Sequence, residues 1–187
     1  GDIIYVEEGN YKENIDFSGK EITLICDGNA GDCILDGDGS GTVVTFSGGE
    51  NSATVLDGFT ITGGNSSDEF YGGGMTIKSN PVIQNCILIN NISERGGAVF
   101  IRAGAKPQFS GCTFQDNTST GEGGGAIYSY HFAEPSFDNC NFIGNESEGS
   151  GGAIVAKKAN LSITNSIFSM NRANGNFRAQ TKQTHMR

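Results

Sequence analysis

The chain has no tryptophan, only three prolines, and no apolar run near the roughly 18 residues that a membrane-crossing helix needs. A helical membrane protein is excluded. Acid is missing after Glu148: residues 1–148 hold all 21 acids and 6 bases, a balance of −15, while residues 149–187 hold 6 bases and no acid. Together they give the net charge of −9. An acidic body repels phosphate, which excludes nucleic acid as a partner. The basic end reads as a solvated tail. Cys-x-x-Cys spacing is absent too, and neither His131 nor His185 lies near the repeated cysteines in sequence, so no metal cluster is expected.

Glycine is present in excess, at 29 residues or about twice ordinary usage. Its clustering, as in Gly72-Gly73-Gly74 and Gly123-Gly124-Gly125, excludes the every-third-residue pattern of collagen. Ile, Val, Leu and Phe recur in short alternating runs, which excludes disorder. The length suits one domain with one core. The opening Gly1-Asp2-Ile3-Ile4 has no signal-peptide pattern, as expected of a chain cut from a precursor or one that never carried a leader.

The glycines belong to a repeat. Gly72-Gly73-Gly74-Met75, Gly96-Gly97-Ala98-Val99, Gly124-Gly125-Ala126-Ile127 and Gly151-Gly152-Ala153-Ile154 each open a unit, at spacings of 24, 28 and 27 residues. Each then runs through Pro81, Pro107, Pro135 or Leu161, next through Cys86, Cys112, Cys140 or Ser166, and last through Asn91, Asn117, Asn145 or Asn171. Leu56-Asp57-Gly58-Phe59-Thr60-Ile61 is an earlier copy without the cysteine. Period-2 alternation between turn residues predicts three short strands per unit. One such unit cannot bury its apolar face alone. Stacked about 4.8 Å apart, the units form a parallel β-solenoid. The residue before the Cys position is always Gly or Asn (Gly58, Asn85, Gly111, Asn139, Asn165), which predicts a left-handed bend in every coil.

With its Gly-Gly-Ala-[Ile/Val] and Phe-x-x-Asn elements (Phe114 to Asn117, Phe142 to Asn145, Phe168 to Asn171), the chain resembles the right-handed parallel β-helices of the pectin-lyase-like superfamily. The repeats are similar to those of chlamydial polymorphic outer membrane proteins and related bacterial surface proteins. The resemblance covers about residues 1–172 and implies an all-β, single-domain fold of about six coils, at the cell surface or outside the cell. Residues 173–187 are then a basic tail or a cap on the last coil. Uncapped terminal coils would invite end-to-end association into a homo-oligomer.

Alternation assigns the faces of the first strand in each unit. Met75, Val99, Ile127 and Ile154 should point inward, with Ile77, Ile101, Ser129 and Ala156 two residues on. Two outward ladders result: Thr76, Phe100, Tyr128 and Val155, and beside it Lys78, Arg102, Tyr130 and Lys157. Aromatics beside cations form a candidate platform for an extended acidic polysaccharide, with rings stacking on sugars and Lys or Arg pairing with carboxylate or sulfate. A solvated strand face is the alternative. In the resembled superfamily this strand commonly lines the substrate groove. Glu94, Glu122, Glu146 and Glu148 fall in the loops leading into it, where solvated loop charge is their default and pairing with Arg95 or rimming the groove the alternative.

Cys86, Cys112 and Cys140 read as a stacked thiol ladder. Cys26 and Cys33 either close a loop disulfide or remain two thiols. The repeated asparagines read as an amide ladder, although Asn91, Asn117 and Asn145 also sit in glycosylation sequons. Asp36-Gly37-Asp38-Gly39 is a candidate calcium loop through Asp36 and Asp38, without the spacing of an EF-hand; no other cofactor is expected.

Three function classes remain. A glycosidase is disfavoured because no acid points outward from the strands of the platform. A polysaccharide lyase remains, with Arg102 as its candidate base. Ice binding is excluded, since Thr60 and Thr62 are matched by Ile87 and Ile89 instead of further threonines. A regular surface with no asymmetric centre fits a non-catalytic adhesion or glycan-binding module, with the lyase and a structural or protein-binding spacer as alternatives.

Overall fold

The computed structural model describes residues 1–175. The chain winds as a parallel solenoid in which every strand pairs with its equivalent one coil away, giving four sheets among the described residues. The first sheet, six-stranded, contains Ile15–Asp16, Val44–Phe46, Met75–Ile77, Val99–Ile101, Ile127–Tyr130 and Ile154–Lys157. The second and third have seven strands each; Val82–Gln84 and Ile87–Ile89 are members one coil above Val55–Asp57 and Thr60–Thr62. The register follows the repeat, with Met75 opposite Val99, Val99 opposite Ile127 and Ile127 opposite Ile154.

A fourth sheet was not expected. Its strands, among them Ile92–Arg95, Thr118–Gly123 and Glu146–Ser147, follow the repeated asparagine. Their inward residues are Ser93, Ser119 and Ser147, each at most 1% exposed. With serine in the core-facing position, the hydrophobic alternation that marks a strand is silent here.

Inside, one core runs the length of the stack. Phe109 stacks on Phe137 at 4.9 Å between ring centroids, and Phe114 on Phe142 at 4.8 Å, so ring spacing equals strand spacing. Met75, Val99, Ile127, Ile77, Ile101 and Ser129 are buried as predicted, while Ile154 is half-buried and Ala156 exposed on the last described coil. The bend before each Cys position is left-handed, with φ of 79°, 53°, 62°, 52° and 49° at Gly58, Asn85, Gly111, Asn139 and Asn165. Gly97 shows why each unit also needs its second glycine: a Cβ there would stand 2.5 Å from the Thr118 carbonyl of the next coil.

Two polar ladders lie within this core. Asn117 Nδ2 donates to the Leu88 carbonyl at 2.9 Å and to Asn145 Oδ1 at 3.0 Å, while its own Oδ1 accepts from the backbone and side-chain nitrogens of Asn91. Asn145 repeats the pattern with Phe114 and Asn171. Asn91, Asn117 and Asn145 are fully buried, so their sequons are closed to glycosylation in the folded chain. Cys86, Cys112 and Cys140 are free thiols stacked inside. Burial pushes Cys86 up to about 12 and raises Cys112 as well.

Cys26 and Cys33 are joined by a disulfide in the second coil. Of the basic tail or cap at 173–187, residues 176–187 lie outside the described residues; Arg172–Ala173 closes the fourth sheet.

Candidate functional site

The geometry of the outer face is set by four equivalent turns that lead into the first sheet. Five residues separate Ser66 from Gly72, two separate Ser93 from Gly96, four separate Ser119 from Gly124, and three separate Ser147 from Gly151. The short turn, Glu94-Arg95, is thus flanked by longer ones. Arg95 lies in the notch between them with a side chain only 10% exposed. Its Nη2 reaches Glu69 at 2.9 Å in the turn on one side and Glu122 at 2.8 Å in the turn on the other.

The long turn changes the predicted platform. Phe70 lies over the outer ladder, edge-on to Phe100 at 6.3 Å and to Tyr130 at 6.4 Å. The Arg95 guanidinium stands 5.6 Å from the Phe70 ring and 5.8 Å from the Tyr128 ring. Phe100 and Tyr128 stack at 5.6 Å and point outward as alternation requires, yet they are 0% and 1% exposed. The expectation that they form an open stacking platform is therefore corrected. Outward on a strand meant solvent only until residues 69–71, which follow no repeat motif, folded across it.

The second outward ladder remains at the surface. Lys78 and Arg102 are half-buried, Tyr130 likewise, and Lys157 is exposed. Each already has a neighbour. Lys78 Nζ lies 3.4 Å from the Tyr71 hydroxyl, and the Arg102 guanidinium 5.6 Å from the Phe70 ring. Tyr130 stacks on His131 at 4.0 Å, and Lys157 Nζ reaches Glu122 at 3.1 Å.

Glu122 is the centre of this network. One of its oxygens accepts from Arg95; the other accepts from Lys157 and, at 2.7 Å, from the Tyr128 hydroxyl. The Tyr128 bond, followed by Lys157 and Arg95, outweighs burial and holds the Glu122 carboxyl below its usual range. Burial and the negative Glu122 in turn push Tyr128 well up. At neutral pH the pair is carboxylate and phenol.

Beyond Glu122 the face opens into a groove of about 560 Å³, lined by Glu94, Glu122, Val155 and Lys157, with the Gly121, Gly149 and Ser150 segments as walls. Among the described residues the Glu94 carboxylate makes no ion pair. Two acids thus line the one outer face that the strands alone supplied with cations and aromatics. Their position before the Gly-Gly element was legible in the sequence; the groove between turns of unequal length was not.

The calcium candidates do not gather into a site. Asp36 accepts from the Asp38 amide at 2.9 Å, and Asp38 pairs with Lys12 at 3.0 Å. Among the described residues no three His, Cys, Asp or Glu side chains cluster as metal ligands. No described helix is long and apolar enough to cross a membrane.

Comparison with known proteins agrees with the coil-by-coil geometry. No curated protein and no solved structure matches the chain. A family model described as a right handed beta helix region matches residues 4–185, nearly the whole length, and the chain belongs to that right-handed β-helix family.

Proposed function

We propose that this chain is a non-catalytic binding module of an extracellular or cell-surface protein, and that the outer side of its first sheet holds a glycan at the Glu94–Lys157 groove. The observation that carries this reading is the saturation of Glu122 by Arg95, Tyr128 and Lys157. A glycosidase needs two carboxyl groups free to exchange protons or attack. Glu122, held by three donors, is built to stay ionised and still. Arg102, the candidate base of a lyase, packs its guanidinium against the Phe70 ring. What the face does offer is a shallow groove that combines polar groups with an apolar floor, which suits reversible binding of a polymer.

Two observations support a location outside the cytoplasm. The Gly-Gly-Ala and Phe-x-x-Asn motifs resemble those of chlamydial polymorphic outer membrane proteins, a resemblance carried by the sequence alone, and the Cys26–Cys33 disulfide fits an oxidising compartment. Incubating the protein with a glycan panel, while following both retention and new reducing or unsaturated ends, tests the reading. Retention without products is expected. Products abolished by Arg102→Ala would replace it with the lyase, and no retention of any glycan would leave a spacer.

A further inference from the structure

The charge arrangement on this face bears on which glycan it takes. The cations and aromatics of the outer ladders first suggest an acidic polymer, but among the described residues Arg95 and the ladder cations already have neighbours. Arg95 is shared by two carboxylates, Lys157 is bound to Glu122, Lys78 stands against Tyr71, and Arg102 lies on Phe70. A uronate or sulfate entering the groove would have to compete with Glu122 for Lys157. It would also meet the Glu94 carboxylate, which lines the groove and among the described residues makes no ion pair. Among the charged residues that line the groove itself, Glu94 and Glu122 stand against Lys157, a local balance of −1. A like-charged ligand is repelled where the site is most open.

An unpaired carboxylate is, however, a strong acceptor for hydroxyl groups, and its charge-assisted bonds are roughly twice as strong as neutral ones. Lys157, 45% exposed, retains ammonium protons beyond the one it gives Glu122, and Ser150 also lines the groove. Val155 supplies an apolar part of the lining. The groove crosses three successive turns spaced ~4.8 Å apart, so it is ~10 Å long, the span of a disaccharide. Its side walls are backbone at Gly121 and Gly149. A Cβ on Gly149 would collide with the Gly121 carbonyl, and one on Gly121 would stand 2.8 Å from the Glu94 carbonyl. The turns stack this closely because those positions carry no side chain.

We infer that the groove binds a neutral, hydroxyl-rich glycan, with Glu94 accepting from sugar hydroxyls and Lys157 donating to them, and that it excludes acidic polysaccharides. This rests on the binding-module reading above and names its ligand class. Affinity electrophoresis or calorimetry with soluble mannan, xylan and mixed-linkage glucan, against polygalacturonate and dextran sulfate, tests it on the intact chain and on Glu94→Gln and Lys157→Gln. The expected result is binding of at least one neutral polymer. That binding weakens roughly tenfold in Glu94→Gln and changes little between about 0.05 and 0.5 M salt. Lys157→Gln should weaken it by a smaller factor. An unchanged melting temperature in both variants establishes that the fold is intact.

Opposite signs separate the failures. Acidic polymers that bind, bind more tightly to Glu94→Gln and dissociate with salt would overturn the neutral-glycan inference while leaving the binding module standing. Selective capture of cationic chitosan oligomers, lost in Glu94→Gln, would overturn it in the other direction. No retention of any polymer removes both readings.

Discussion

On the strand Val99–Ile101 the side chains at 99 and 101 enter the core exactly where their equivalents do in the coils on either side. Phe100, between them, is buried by residues 69–71 of a turn with no regular counterpart. Inside, a residue's environment is inherited from its repeat neighbour, so identical residue types stack at strand spacing. Outside, it is decided by how far each turn reaches, and turn lengths of five, two, four and three residues give every coil a different cover. In a solenoid the repeated positions carry stability and the unequal ones carry individuality.

The comparison can be pressed hardest at the inner ladder. Asn117→Ala removes the acceptor of two Asn91 nitrogens and the donor to the Leu88 carbonyl, all buried. Left unpaired, such groups cost about 1–3 kcal/mol each. A loss of about 3 kcal/mol or more and a fall in Tm on the order of 10 °C are expected by calorimetry. A fall of less than a few degrees would mean that water replaces the ladder and the core is looser than described.

Arg95→Ala attacks the outer side. Glu69 and Glu122 are both partly exposed, so the cost is discounted from that of a fully buried pair to about 2 kcal/mol. The distinguishing readout is local. Amide exchange should accelerate over residues 67–71 and at Phe100 and Tyr128 while the third sheet stays protected. Uniform acceleration would show that the outer cover and the inner core form one cooperative unit.

The smallest effect is a pH dependence at the edge between the two regions. Glu50 is 2% exposed, with its oxygens accepting from the Gly19 and Gly48 amides at 2.8 and 2.9 Å. Burial pushes its carboxyl up, but the Ser79 side chain together with the backbone amides outweighs that and leaves it below its ordinary value of 4.5. A carboxyl depressed in the folded state contributes stability that is present above the unfolded value and lost as pH falls through the folded one. The Tm should therefore drop between about pH 5 and 3. Glu50→Gln should start lower at pH 7 and lose less over that interval; parallel curves for the two proteins would exclude Glu50 as a source of the drop.

Most of the fold was legible because its determinants repeat. Gly-Gly-Ala, the Gly or Asn bend and the Asn ladder each occur often enough to fix the coil, the register and the inward set. The fourth sheet was hidden because Ser93, Ser119 and Ser147 carry no hydrophobic signal. On the outer face the sequence offered Glu122 as one of four acids able to pair with Arg95, and the unequal spacings of 24 and 28 residues already recorded the unequal turns. It could not reveal that Phe70 closes over Phe100 and Tyr130, because that contact joins a unique residue to repeated ones across a coil.

The three stacked cysteines make the folded chain chemically quiet. Their sulfurs are sealed from solvent, and in Cys86 and Cys112 burial also suppresses the thiolate through which alkylating agents and oxidants act. Each molecule that opens its middle coils releases three reactive groups at once. Thiol labelling of the native protein would thus work as a clock for unfolding, one that runs even where the Cys26–Cys33 bond still holds the second coil together.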